Sequence, residues 1–369
     1  MASNRGKLKL YMGYAAGVGK TYQMLEDGQN AKAQGVDVVV GYFEPHGRKD
    51  TIAKMQGLEI VPRAKIQYRG SVFEEMDADG ILARCPQLCL VDEFAHTNVP
   101  GSARVKRWED VECLRDAGID VLTTMNVQHL ESLNDQVLQI TGIRVRETVP
   151  DWVVQQANEV VIVDLSPRAL LHRLERGVIY DREKVERALQ NFFRESTLAA
   201  LRELALRETA HELEHRDESL AAPQESEREG DTRHKILLLV TADPKTAMLI
   251  RRAKRVSDYL GAECFAVAVR PTGDLSSMRE ANRESLEKHL NFARNMRIET
   301  RILQGRDVAQ TLVDFARRNQ ITQIFLVRLP ERFYAPFWSR GLVQRIVRLA
   351  RDMQIVIVSS REPVTESKD

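Results

Sequence analysis

The sequence predicts an α/β protein made of two parallel-sheet domains. Three observations carry that expectation. Strand-like apolar runs alternate with helical stretches along both halves of the chain, the order that gives a parallel sheet covered by helices. A polar, acidic stretch over residues 216–233 separates the halves, with Leu220 its only large apolar residue. It buries too little to offset the entropy of ordering it, so it reads as a linker. The length of 369 residues also suits two or three domains at about 150 residues each.

In the first half, residues 1–215, Lys7–Gly13 reads as a strand. A Gly-rich turn and a helix over Thr21–Gln34 follow, and Gly35 ends that helix. Val36–Glu44 is a nearly continuous apolar run, as expected of a strand buried on both faces. Leu88–Asp92, Ile119–Thr124 and Val160–Leu165 are further strands, with a helix over Val105–Ala117. From Asp181 to His215 the pattern turns helical, with Leu198, Leu201, Leu204 and Ala205 recurring on one face. In the second half, residues 234–369, strands are expected at Lys235–Thr241, Glu263–Val269, Glu299–Leu303, Gln323–Val327 and Gln354–Ser359. Helices fall between them at Thr246–Leu260, Ser276–Asn295, Val308–Asn319 and Leu342–Arg351.

Composition narrows the function classes. With 43% hydrophobic and 29% charged residues, the chain is neither disordered throughout nor collagen-like. Its longest aliphatic runs, such as Ile236–Val240, fall far short of the roughly 20 residues a membrane span needs. The N-terminus has no apolar signal core, so a cytoplasmic location is expected. Cys85, Cys89, Cys113 and Cys264 form no C-x-x-C pair and read as reduced and buried. The overall charge of +1 conceals an acidic first half and a second half rich in Lys and Arg. No aromatic-interleaved basic patch argues for nucleic-acid binding. Arg251, Arg252, Lys254 and Arg255 read as a solvated helix face.

The strongest chemical signal is Gly13-Tyr14-Ala15-Ala16-Gly17-Val18-Gly19-Lys20-Thr21, between a strand and a helix. Glycines there let backbone N–H groups converge on phosphate oxygens, and the helix N-terminus adds positive potential. In this pattern Gly13, Gly17, Val18 and Gly19 shape the loop, Lys20 reaches the β- and γ-phosphates, and Thr21 ligates Mg²⁺. The G-x-x-x-x-G-K-[ST] pattern asks for glycine where Tyr14 stands, so the loop is expected to depart locally from the common form. Leu88–Glu93 is an apolar strand ending in two acids, the Walker B form. Asp92 is the candidate for Mg²⁺ and Glu93 for activating an attacking water. Asn126 and Gln128, at the end of the next strand, are candidates to sense the γ-phosphate, with His129 beside them. Glu44, His46, Arg48 and Lys49 leave the second strand on the same edge and could meet phosphate, an acceptor or a partner.

These segments resemble the N-terminal cytoplasmic region of the KdpD family, the sensor histidine kinases of the potassium-transport system. The likeness runs through GYAAGVGKT, VVVGYFEPHGRKDT, LVDEFAHTNVPGSARVKRWEDVE, GIDVLTTMNVQHLESLND, TGIRVRETVPD and FFRESTLAALRELALRETA. It implies a P-loop NTPase-like parallel-sheet domain that binds ATP with Mg²⁺ and regulates a sensor kinase. It also implies a smaller α/β domain like the universal stress proteins, a kinase or response-regulator partner, and membrane anchoring in a full-length member. The second half departs from that fold's nucleotide pattern, with Val327-Arg328-Leu329-Pro330 and Gly341-Leu342 where glycines and a hydroxyl belong. Its nucleotide loop is therefore expected to be dead. His211-Glu212-Leu213 echoes a phosphoacceptor motif but reads as a helix-face histidine. The alternative to a regulatory module is a P-loop ATPase or small-molecule phosphotransferase.

Overall fold

The computed structural model describes residues 5–45, 49–176, 193–220, 234–270, 280–327 and 341–358, with main chain only at 49 and 210–220. The chain divides into two compact units, Met1–Pro223 and Gln224–Asp369.

The first unit is built on a six-stranded sheet. Its strands are β1 (Leu8–Gly13), β2 (Val38–Tyr42), β3 (Glu59–Ile60), β6 (Leu88–Val91), β7 (Asp120–Asn126) and β8 (Glu159–Ile162). Their order is β3-β2-β6-β7-β1-β8 and every pairing is parallel. All five residues of β2 and all four of β6 are buried, as central strands covered on both faces require. Helices α1 (Lys20–Ala33), α2 (Lys49–Ala53), α3 (Ala78–Arg84), α4 (Arg107–Asp116), α5 (Asn134–Thr141), α6 (Asp151–Gln155) and α7 (Pro167–Glu175) complete the alternation. The long α8 (Glu195–Leu220) packs onto it with Leu198, Leu201, Leu204 and Ala205 buried, the face expected from their spacing. This helix runs five residues into the stretch read as linker. Residues 177–192, which include the first part of the stretch read as helical from Asp181, lie outside the described residues.

An antiparallel hairpin, β4 (Ala64–Tyr68) with β5 (Ser71–Glu75), has no counterpart in the sequence reading. Its turn is Arg69-Gly70, both at positive φ (48° and 81°). That is the primed-turn geometry usually signalled by Asn-Gly or Asp-Gly. With arginine in the first position and most of the strand exposed, neither turn chemistry nor hydrophobic alternation announces it.

The second unit has a five-stranded sheet of β9 (Lys235–Leu239), β10 (Glu263–Arg270), β11 (Glu299–Gln304), β12 (Gln323–Val327) and β13 (Gln354–Val358). The order is β11-β10-β9-β12-β13, again wholly parallel. Helices α9 (Thr246–Tyr259), α10 (Glu280–Asn295), α11 (Val308–Arg318) and α12 (Leu342–Leu349) lie between the strands in sequence. Two apolar clusters form the core. One gathers Leu249, Ile250, Leu286 and Leu290, and the other Leu312, Val313, Phe315 and Ile346. All five strands and four helices are where the alternation placed them, within a few residues at the ends. Arg251 corrects the solvated-face reading of the basic run. It is buried, with its guanidinium over the Phe292 ring at 5.3 Å, because its stem covers apolar surface as it reaches the ring. Cys85 is exposed rather than buried, since it caps α3 in a left-handed conformation. Arg328–Pro330 lie outside the described residues.

Candidate functional site

The parallel strands β1, β6 and β7 end together, and a cavity opens beyond their C-terminal ends. Ala16, Lys20, Thr21, Asp92, Glu93, Thr124, Asn126 and His129 line it. They arrive on segments that are distant in the sequence. The loop after β1 and the first turn of α1 bring Ala16, Lys20 and Thr21. The end of β6 brings the acid pair, and β7, lying between β1 and β6, supplies Thr124 and Asn126. The crevice beyond the carboxyl ends of parallel strands is where α/β folds present binding groups.

The Gly-rich loop is possible only with its glycines. Gly17 and Gly19 stand at φ of 88° and 116°, where a side chain is strained. A Cβ on Gly13 would fall 2.7 Å from Val18 Cγ2 and 3.2 Å from Lys20 Cδ, so Gly13 makes room for the lysine stem. Tyr14 turns out of the loop. It is buried, and its hydroxyl donates to the Leu165 carbonyl at 2.9 Å. Burial pushes its pKa up to about 12. The residue that breaks the usual pattern thus anchors the loop to the segment after β8.

Lys20 Nζ donates to the Ala15 carbonyl at 3.0 Å and to Asn126 Oδ1 at 2.6 Å. Thr21 Oγ1 donates to Asp92 Oδ1 at 3.1 Å, and the Thr124 hydroxyl donates to the same oxygen. Asp92 is buried, and its pKa is raised, chiefly by desolvation and further by the neighbouring Glu93, against the opposing hydroxyl bonds. Glu93 adopts φ 56°, an uncommon conformation for a non-glycine residue that clusters at functional sites. Its amide donates to Thr124 Oγ1 at 3.2 Å.

Behind the acids sits Arg107, fully buried. It donates to Glu75 Oε2 at 3.0 Å, lies 3.8 Å from Glu93 Oε2, and stacks on the Tyr42 ring at 3.6 Å. His96 Nε2 is 3.1 Å from both oxygens of Glu75. His129 Nδ1 donates to the Glu147 carbonyl at 2.7 Å, and burial lowers its pKa. In the neutral ring that bond places the proton on Nδ1 and leaves Nε2 as an acceptor.

Of the residues predicted from sequence, Lys20, Thr21, Asp92, Glu93 and Asn126 meet in this cavity, and Gly13, Gly17, Val18 and Gly19 form its loop. Gln128 is not among the lining residues, and its Oε1 is a buried oxygen without a hydrogen-bond partner among the described residues. The side chains of His46, Arg48 and Lys49 lie outside the described residues. Thr124, His96, Glu147 and Arg107 were not singled out. Thr124 lies two residues before Asn126 at the same strand end and is within reach of that signal, whereas the others converge only through folding.

Fold and site together define a parallel α/β protein with a glycine loop facing an acid pair, of which Asp92 is buried. Comparison with known proteins identifies the family. Residues 4–213 match the family model described as the osmosensitive K⁺ channel His kinase sensor domain. The chain is 44% identical over 363 residues to the sensor protein KdpD of Escherichia coli, covering 98% of this chain and 40% of that protein. It is 41% identical to a putative sensor protein KdpD of Synechocystis, covering 96% of this chain and 95% of that one. A Mycobacterium tuberculosis KdpD is 38% identical, over 97% of this chain and 41% of its own length. The chain belongs to the KdpD family of potassium-signalling sensor proteins. It spans about 40% of the length of the E. coli relative and nearly all of the Synechocystis one. Among solved structures, universal stress proteins from Archaeoglobus fulgidus and Burkholderia pseudomallei are similar at 15% and 19% identity. They cover 34% and 36% of this chain and 93% and 99% of their own, with TM-scores of 0.28 and 0.27. No helix among the described residues is long and apolar enough to cross a membrane.

Proposed function

We propose that the first unit binds ATP with Mg²⁺ and that the chain is a cytoplasmic regulatory module of a potassium-responsive sensor-kinase system. The observation that carries this reading is the meeting of Lys20, Thr21 and Asp92 beside a glycine loop at the start of a helix. The loop amides and the α1 N-terminus supply fixed positive potential for phosphate oxygens. Lys20 adds a positive charge at the mouth of the loop, where it now donates to a carbonyl and an amide oxygen, and a phosphate oxygen is a stronger acceptor than either.

The donor set suits Mg²⁺. Thr21 and Asp92 offer two hard oxygens, and Mg²⁺ commonly takes one or two protein ligands and completes its shell with phosphates and water. Among the described residues no group of three or more His, Cys, Asp or Glu could hold a metal alone, which fits a cation arriving with its nucleotide. When bound, the cation would neutralise phosphate charge and favour the ionised form of Asp92.

Nucleotide occupancy would then bias contact with a kinase or response-regulator partner, as membership of a sensor-protein family suggests. A second reading, slow ATP hydrolysis, rests on Glu93, a cavity-lining carboxylate in an uncommon backbone conformation. Calorimetric titration of the whole chain with MgATP, beside the Lys20→Ala variant, tests the binding reading. Saturable binding that weakens about tenfold or more in the variant supports it, and equal binding by both proteins rejects it. Phosphate release over the same samples decides the second reading.

A further inference from the structure

Arg173, in the last turn of α7, reaches the outside of the glycine loop. Its Nη1 donates to the carbonyls of Gly17 at 3.3 Å and Val18 at 3.5 Å. The two residues are some 155 positions away in the chain, and the sequence gives no sign of the contact.

The peptide planes concerned are the ones that matter for anion binding. The Gly17 carbonyl shares its plane with the Val18 N–H, and the Val18 carbonyl shares its plane with the Gly19 N–H. A trans peptide directs C=O and N–H to opposite sides. Holding both carbonyls outward therefore holds the Val18 and Gly19 amides inward. A cation on the carbonyl side also polarises each peptide further, making its N–H a stronger donor. With Gly17 and Gly19 free to adopt many backbone angles, the loop has conformational entropy that something must restrain. The segment after β8 is also tied to the start of the loop and to β1, by the Tyr14 hydroxyl on the Leu165 carbonyl and the Val163 amide on the Met12 carbonyl.

We infer that Arg173 is a positioning residue for the anion cradle: it tightens phosphate binding by locking the 17–19 peptides, without touching the ligand. The inference rests on the nucleotide-binding reading above and assigns a residue outside every motif that suggested it.

The test titrates the full chain with MgATP and, separately, with inorganic tripolyphosphate, which has phosphates but no base or ribose. Arg173→Ala should weaken both ligands alike, by about 3- to 30-fold, the range of one or two charge-assisted bonds acting indirectly. Arg173→Lys keeps a donor cation and should recover part of the loss. Thermal melting without ligand should stay close to wild type, because the side chain is exposed. A loss for ATP with no loss for tripolyphosphate would place Arg173 on the nucleoside and overturn the inference. Unchanged affinity for both ligands in Arg173→Ala would overturn it too, while leaving the nucleotide reading in place. Absence of saturable MgATP binding by the wild-type chain would remove that reading and this inference together.

Discussion

The turns that follow β1 and β9 occupy the same place, at the C-terminal end of a parallel strand and the start of a helix, yet they are chemically opposite. After β1 the chain uses Gly17 and Gly19 at positive φ, in a loop that leads into a cavity lined by Lys20, Asp92 and Glu93. After β9 the turn closes on itself. Thr241 and Thr246 share a hydroxyl hydrogen bond of 2.8 Å, the Asp243 amide donates to Thr241 Oγ1 and the Lys245 amide to Asp243 Oδ1. His289 donates from Nδ1 to the Thr241 carbonyl at 2.7 Å. Architecture alone therefore does not make an anion site. A strand-to-helix turn binds phosphate when its amides are left to converge, and side-chain oxygens placed among them satisfy the same donors from within.

The contrast breaks most sharply at Lys20. Lys20→Ala removes a charge-assisted contact worth roughly 1.5–3 kcal/mol, so MgATP affinity should fall about 10- to 150-fold by calorimetry. The wild-type chain should bind a single ATP. A second saturable site surviving in Lys20→Ala would mean that the other sheet also holds nucleotide.

The acid pair comes next. Glu93→Gln should leave MgATP binding near wild type and slow any hydrolysis by about 10²-fold. Asp92→Asn should weaken binding about tenfold in Mg²⁺ and little in its absence. Identical behaviour of the two variants in binding and phosphate release would dissolve the division of labour between them.

A smaller effect is expected from Tyr14→Phe. It leaves the Leu165 carbonyl without its donor, at a cost of about 1 kcal/mol. The first unit's melting transition should drop by about 2–4 °C, and the second unit's should not move. A matching drop in both would show that the units unfold as one.

The smallest effect concerns acid. Burial raises the pKa of Glu75, but hydrogen bonds from His96 and the Val99 amide, with the field of Arg107, outweigh it and leave the pKa below the ordinary 4.5. A carboxyl with a depressed folded pKa contributes stability above its unfolded value and loses it as pH falls through the folded one. The first unit should therefore lose stability below about pH 4.5 more steeply than Glu75→Gln, read by urea melts across that range. Parallel pH profiles would remove Glu75 from the acid response.

Local signals explain what was legible. Strands such as β2 and β6 are short apolar runs bounded by polar residues, and their burial on two faces follows from their composition. The glycine loop was legible because its chemistry is local, with glycines, lysine and threonine adjacent in the chain. The hairpin of β4 and β5 was not, since Arg69 adopts a turn conformation that its residue type does not advertise. Arg251 misled because a basic residue beside other basic residues looks solvated, and only packing reveals the Phe292 ring under it.

By itself, then, the sequence determined two alternating α/β halves, the glycine loop with Lys20 and Thr21, and the acid pair at the end of β6, because each is written in neighbouring residues. The tertiary structure alone decided that β7 lies between β1 and β6, which brings Thr124 onto Asp92 and Asn126 onto Lys20. It also turned Tyr14 into an anchor, buried Arg107 against Glu75 and Tyr42, and laid Arg173 on the loop. The physical reason is range. Propensity and spacing act over a few residues, whereas strand order and long-range hydrogen bonds are settled only when the sheet closes and distant side chains compete for the same buried partners.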